Sequence, residues 1–384
     1  MTPAARLSAA IEVLDRWLAG APAEKALTNW ARASRYAGSK DREAVRDLVF
    51  EAIRCRRSHA ALGGAETGRG LILGGLRERG EDAEALLTGQ GHAPAQLTAA
   101  ERAGGAPPEG EAALDCPGWL AGDLRASLGA AFAPAMAALR RRAPVHLRVN
   151  LAKADRDRAA ARLTAEGVGT RPHPLSPAAL EVVSGARRVQ ATAAWAEGWI
   201  ELQDAASQAV ADTLPLVPGG RVLDFCAGGG GKTLALAARG AAPLFAWDAD
   251  PGRMRDLPAR AARAGAAVTV LADPAAAAPY DLVLCDVPCS GSGAWRRSPE
   301  AKWRLDRAGL DRLRATQAAI LDAAAPLVAP GGTLAYATCS LLDAENGAQV
   351  AAFLARSPGW RLALQRVLTP LDGGDGFFVA HLTA

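Results

Sequence analysis

The chain has 384 residues, half of them apolar, with 44 basic and 40 acidic side chains and a formal charge of +4. That length exceeds one ordinary hydrophobic core, so two or three domains are expected, and so mild a charge does not by itself demand a nucleic acid partner. No run approaches the ~18 apolar residues of a bilayer span, and the first turns interleave charges with apolar residues instead of forming a signal-peptide core, so a cytoplasmic protein without a membrane partner is expected.

Residues 4 to 62 read as helices: Leu7, Ile11, Leu14 and Leu18 share one helical face, as do Val45, Leu48, Val49, Ala52 and Ile53. Between Arg35 and Arg57 seven basic residues stand against four acids, a pattern open to a solvated helix face or an RNA contact. The glycine-rich 63–70 stretch predicts a flexible break that closes an all-helical domain at residue 70. Residues 71–142 are expected as a helical linker region, with helices over Pro117–Arg125 and Pro134–Arg142. Residues 143–202 form a small α/β, RRM-like module with a strand at Val145–Asn150, a helix from Arg156 to Glu166 and a strand at Trp195–Leu202. Such a sheet can present a surface to single-stranded RNA.

From Gln203 to residue 384 strands and helices alternate, the pattern of a doubly wound, Rossmann-like α/β domain. Strands are predicted at Arg221–Cys226, Leu244–Asp248, Val268–Ala272, Asp281–Asp286 and Thr333–Cys339, with a terminal hairpin near Arg361–Arg366 and Phe377–Leu382. Six cysteines and five histidines, without a CxxC pair, argue against a metal site and against a disulfide framework.

Val222–Thr233 runs from a strand through a glycine turn into a helix start, where unpaired N–H groups can receive a ligand. Lys232–Thr233 invites a nucleotide-phosphate reading with Asp286 as the Mg²⁺-holding acid, but the first glycine of a P-loop would have to stand at Cys226. The later strand ends favour another ligand. Asp248 lies roughly 20 residues past the turn, where a ribose diol is bound, and Asp273 and Asp286 end the next two strands. Carboxylates along a sheet edge repel a polyphosphate and suit ribose hydroxyls, an amine and a cationic centre. S-adenosylmethionine has all three.

Two thiols complete the pattern. Cys289 follows the strand ending at Asp286, on a loop stiffened by Pro288, and Cys339 ends the next strand, so they are expected within reach of each other. Ser340–Asp343 reads as a capping-box-like helix start, and a helix N-terminus would favour a Cys339 thiolate. Carbon 5 of cytosine is a poor nucleophile until a thiolate adds to carbon 6, whereas methylation of an exocyclic amine needs no thiol. From Arg296 to Arg314 seven basic residues stand against three acids, with Trp295 and Trp303 interleaved, a pattern suited to phosphate contacts and to stacking on an unpaired nucleotide.

The stretches Leu147–Asn150, Gln203–Gln208, Asp224–Thr233, Asp286–Gly293, Arg297–Trp303, Tyr336–Ser340 and Asp375–Phe378 resemble the Sun (Fmu) family of RNA (cytosine-5-)methyltransferases, which act on bacterial ribosomal RNA. Asp41–Arg54 resembles that family's NusB-like RNA-binding domain. The resemblance implies formation of 5-methylcytosine in RNA, foremost 16S ribosomal RNA, with Cys339 as nucleophile, Cys289 assisting release of the covalent adduct and Asp286 touching the target base. It places the cofactor S-adenosylmethionine on Cys226, Ala227, Gly228, Gly229, Gly230, Gly231, Lys232, Asp248, Asp273 and Asp286. The family has Ala-Pro where this chain has Gly228–Gly229, a looser turn. A P-loop-like NTPase and an RNA-binding scaffold without catalysis are the alternative readings, and a monomer is expected.

Overall fold

Apolar stripes at helical spacing can be buried only against one another, and the N-terminal helices do this. In the computed structural model, which describes Met1–Ala384, the chain divides into two units: Met1–Arg142 with Trp295–Arg304, and Ala143–Ala294 with Leu305–Ala384. No helix is long and apolar enough to cross a membrane.

In the first unit, helices Pro3–Leu18, Ala23–Ala33, Ser39–Arg54 and Gly68–Glu78 contribute Leu14, Leu27, Val45, Val49, Ile53, Leu71, Leu73 and Leu76 to one core. The 63–70 stretch is not the flexible break its composition predicts. A Cβ on Gly63 would stand 1.9 Å from the Gly70 carbonyl oxygen, and one on Gly74 1.9 Å from that of His59. Glycine here lets two helix backbones touch, so residues expected in the linker join the core of the first helices. The expected helix over Pro134–Arg142 spans Phe132–Leu139 and stops before the arginine triplet.

Trp295–Arg304 belongs to this unit through contacts that sequence spacing does not foretell. Lys302 Nζ donates to the Arg54 carbonyl (2.9 Å), Trp303 Nε1 to the Ile53 carbonyl (2.6 Å), and Glu300 accepts from the Ala23 N–H (3.1 Å). Two of these bonds satisfy carbonyls left open at a helix C-terminus. Trp295 and Lys302 are each 1% exposed. The two tryptophans expected to stack on a nucleotide are therefore structural: one is buried and the other has spent its indole N–H.

The second unit holds two sheets. The smaller one has β1 (Val145–Val149), β2 (Gly169–Pro172), β3 (Ala179–Ser184) and β4 (Ile200–Leu202) in the order β2-β3-β1-β4, every pair antiparallel. With helix Arg156–Ala165 after β1 and helix Ala193–Ala196 before β4, this is the split βαβ layout of ferredoxin-like modules. The strand expected over Trp195–Leu202 is only three residues long. Thr192 Oγ1 accepts from the Trp195 N–H (3.1 Å) and starts a helical turn, and Gly198, at φ +68°, redirects the chain.

The larger sheet has β5 (Val222–Asp224), β6 (Leu244–Ala246), β7 (Thr269–Val270), β8 (Tyr280–Asp286), β9 (Val328–Thr338), β10 (Arg361–Leu368) and β11 (Phe377–Thr383) in the order β10-β11-β9-β8-β5-β6-β7. Strands β5 to β9 pair in parallel, while β11 pairs antiparallel with both β9 and β10. Alternate residues of β8 enter different cores, Leu282 and Leu284 on one face, Val283 and Cys285 on the other; a sheet covered on both faces needs this near-continuous apolar run. The expected doubly wound, Rossmann-like α/β sheet is present. Its chain runs outward from β5 to β7 and returns to β8 beside β5, which makes the carboxyl ends of β5 and β8 the switch point where ligands bind.

Candidate active site

Every site residue foreseen in the sequence stands at the carboxyl end of a strand of this sheet. After β5 the chain turns through Cys226–Gly230 into helix Gly231–Ala238, with the Gly230 N–H donating to the Ala227 carbonyl (2.8 Å). Gly228 and Gly230 have φ of +49° and +81°, and a Cβ on Gly230 would lie 2.3 Å from Leu257 Cδ1. Asp248, 3% exposed, braces the turn: its Oδ2 accepts from the Gly228 N–H (2.9 Å) and pairs with Arg253 (3.2 Å). The turn that lacks the family's proline is therefore formed and held.

A second brace reaches the turn from β1. Arg148, 4% exposed, donates Nη1 to the Gly231 carbonyl (2.6 Å) and also to Gln203. The sequence placed Arg148 in a matching stretch without giving it a role; an arginine between Leu147 and Val149 in a strand was the available signal. Asp224 is fully buried, accepts from Thr233 Oγ1 (2.6 Å) through Oδ2, and leaves Oδ1 without a partner. Burial pushes its carboxyl up to about 7.

Lys232 Nζ pairs with Asp286 Oδ2 at 2.7 Å and lies 4.9 Å from the centre of the Phe377 ring. A phosphate-cradling lysine would face its ligand. This one is neutralised by the acid that would have to hold Mg²⁺, so the NTPase alternative loses both its parts. Asp286 keeps one third of its side chain exposed. Asp273, past the outer strand β7, is exposed and spends Oδ1 on the Ala275 N–H (2.9 Å). The half-buried Cys226 has its thiol pushed well up by burial and by the Asp224, Asp286 and Asp248 charges, so it stays protonated.

The remaining thiols meet. Sγ of Cys289 and Sγ of Cys339 are 3.4 Å apart. The contact with Cys339, with burial and then the Glu345 charge behind it, raises Cys289 well above the usual thiol range. Either sulfur can be the donor in this contact. The helix expected to begin at Ser340 does not: a 3₁₀ turn spans Asp343–Glu345 and the helix starts only at Gly347. No helix N-terminus therefore faces Cys339; the neighbour at its sulfur is Cys289.

Sequence reasoning missed the floor beneath the thiols. Glu345, wholly buried, accepts from the Ser290 N–H (2.8 Å), Ser290 Oγ (2.5 Å), Ser340 Oγ (2.5 Å) and Gln317 Nε2 (2.9 Å). The serines flanking Cys289 and Cys339 were the visible signal, but their shared partner is not adjacent to either loop.

The family model for 16S rRNA methyltransferase RsmB/F matches residues 211–383, and a model for the RsmF/B-like ferredoxin-like domain matches residues 116–190. Ribosomal RNA small subunit methyltransferase B of Salmonella arizonae is 38% identical over 283 residues, 69% of this chain and 66% of that protein, so the match spans just under two thirds of that relative. The protein of the same description from Citrobacter koseri is 36% identical over 331 residues, 82% of this chain and 73% of that one. The crystal structure of PH0851 shares the fold across 100% of this chain and 99% of its own, with a TM-score of 0.77 at 23% identity. Glycine turn, acid-lined strand ends, ferredoxin-like module and paired thiols thus come together in a chain that belongs to the RsmB/F family of 16S rRNA methyltransferases.

Proposed function

We propose that this chain transfers a methyl group from S-adenosylmethionine to carbon 5 of a cytosine in ribosomal RNA, that of the small subunit, with Cys339 as nucleophile and Cys289 as its proton-holding partner. The observation that carries this reading is the 3.4 Å contact between the two thiols at the ends of adjacent parallel strands, beside an acid-lined glycine turn.

The edge fits the cofactor. The turn's backbone is open on the side of Gly231, where a Cβ would meet only Gln203 at 3.8 Å. Its cations are each paired, Lys232 with Asp286, Arg253 with Asp248 and Arg260 with Glu201, which leaves carboxylates to meet hydroxyls and a cationic centre. Gly228–Gly231, Asp248 and Asp286 would hold it, with Asp224 behind the turn and Asp273 at the far edge. Bound there, S-adenosylmethionine supplies an electrophilic methyl.

The chain's own residues prepare the base. The Cys339 thiolate adds to carbon 6 and sends the electrons of the 5,6 double bond toward carbon 5. Asp286, at the end of β8 with a third of its side chain exposed, would accept from the base's amine. Once carbon 5 is methylated, it gives its proton to a solvent base, the electrons of that bond re-form the 5,6 double bond, and the carbon 6–sulfur bond breaks with its electrons leaving on Cys339. Cys289 assists that departure because its S–H, donating to Sγ of Cys339, stabilises the leaving thiolate. The target cytosine must be swung out of any stack to reach the thiols.

Cys339→Ala should abolish 5-methylcytosine formation in small-subunit rRNA, measured by bisulfite sequencing or mass spectrometry of nucleosides. Cys289→Ala should accumulate a protein–RNA adduct that survives denaturing electrophoresis. Substantial methyl transfer by Cys339→Ala would overturn the assignment, and an adduct trapped by Cys339→Ala instead would exchange the two roles.

A further inference from the structure

Glu345 is a carboxylate with no exposed surface, and no cation pairs with it; every bond it receives comes from a neutral donor. Such a group is costly to bury unless its neighbours are arranged for it. Those neighbours are the residues on either side of the two cysteines. Gln317 Nε2, one of its donors, also donates to the carbonyl of Pro288 (3.0 Å), the residue before Cys289, while Ser290, the residue after it, donates both N–H and Oγ to Glu345. On the other loop, Ser340 Oγ reaches Oε2, and Thr338 Oγ1 donates to Oδ1 of Asn346 (2.6 Å), whose Nδ2 returns to the Ser340 carbonyl (2.9 Å). Ser292 Oγ lies 3.1 Å from Ser340 Oγ and accepts from the Leu341 N–H (2.7 Å).

We propose that Glu345 is the positioning residue of the two-thiol centre: its carboxylate ties the Pro288–Ser292 and Thr338–Ser340 loops together and so fixes Sγ of Cys289 against Sγ of Cys339. An ionised carboxylate accepts at both oxygens, which four donors require; an amide of the same shape accepts at one and presents N–H groups at the other. The charge acts in the same sense as the geometry. It faces Cys289 together with Cys339 and helps keep the proton on Cys289. This rests on the proposed reaction only for its catalytic consequence; the positioning itself is testable without turnover.

The test is Glu345→Gln in the full chain, read three ways. Oxidation by diamide removes the two thiol hydrogens and joins Cys289 to Cys339, which requires the sulfurs to close to about 2.05 Å; the rate of disulfide formation, followed by mass spectrometry, reports their register. The variant should crosslink roughly tenfold more slowly and lose about a hundredfold in kcat, the size of effect a misplacement near 1 Å produces. Its affinity for S-adenosylmethionine should stay within about twofold, since it touches no group of the glycine turn. Crosslinking and kcat both at wild-type values would overturn the proposal, as would equal losses in kcat and cofactor affinity, the mark of general unfolding. Should Glu345→Gln fail to fold, Ser340→Ala removes a single donor, and crosslinking at the wild-type rate by that variant overturns the proposal too. Slow crosslinking in a chain whose wild type makes no 5-methylcytosine would support the positioning role and defeat the reaction assigned above.

Discussion

Gly230→Ala should separate the glycine turn's conformational requirement from its openness to a ligand. Two penalties are visible. The residue sits at φ +81°, a left-handed conformation that costs a side chain about 1–2 kcal/mol. Its Cβ would also stand 2.3 Å from Cδ1 of Leu257, a fully buried side chain, and overpacking of this kind costs about 1–3 kcal/mol. Together they predict a loss of roughly 2–5 kcal/mol. Gly231→Ala is the control: it meets only Gln203 at 3.8 Å and sits at the first position of a helix, where alanine should change stability by no more than ~0.5 kcal/mol. Urea unfolding followed by tryptophan fluorescence measures both variants, and calorimetric titration with S-adenosylmethionine should show binding lost or severely weakened for Gly230→Ala. A Gly230→Ala protein within ~0.5 kcal/mol of wild type would refute the reasoning, because it would mean that neither the backbone angle nor the Leu257 contact constrains the turn.

Two further outcomes test the braces around that turn. Burial raises Asp224 from 3.8 to about 7, so between those values the folded state holds a proton that the unfolded chain has released. Its contribution to stability is present below about pH 4 and lost as pH rises through 7, and stability measured from pH 4 to 8 should fall by up to ~4 kcal/mol relative to Asp224→Asn, which lacks that titration; parallel pH profiles would contradict this. Arg148→Met removes the bonds to the Gly231 carbonyl and to Gln203 Oε1 but also removes the cost of burying a guanidinium, which has already drawn the group down to about 10. The net loss should be about 1–3 kcal/mol, with cofactor affinity weakened more than RNA affinity in paired titrations.

What could be read from the sequence is what depends on neighbours along the chain. The apolar runs of β5 and β8, each ending at an acid, gave the strands, and the breakers after them gave the site. Interactions between distant segments overruled local signals elsewhere. Ser340 and Asp343 carry a helix-start pattern, and Ser340 Oγ does accept from the Leu342 N–H (3.0 Å) while donating to Glu345, yet only a 3₁₀ turn over Asp343–Glu345 follows and the helix starts at Gly347. Trp303 and Lys302 look like an exposed basic, aromatic face. They instead close the carbonyls of Ile53 and Arg54, some 250 positions earlier, a pairing that no spacing within the segment encodes. Trp195 and Trp199 favoured a strand until a Thr192 cap and the left-handed Gly198 intervened.

The thiol pair shows why the centre was more legible than its surroundings. Parallel pairing of β8 with β9 sets Asp286 against Ala337, so Cys289 and Cys339 leave neighbouring strands at nearly the same height. Register alone brings the two loops to one place, and strand patterns reveal register. It does not bring two sulfur atoms to 3.4 Å, because a loop containing Pro288 and Gly291 can leave its strand in more than one direction. The Gly293 N–H bond to the Cys339 carbonyl (2.9 Å) and the convergence of both loops on Glu345 make that choice. A catalytic pair can thus be found from strand ends, while the accuracy on which its chemistry depends comes from buried polar groups that bear no motif of their own.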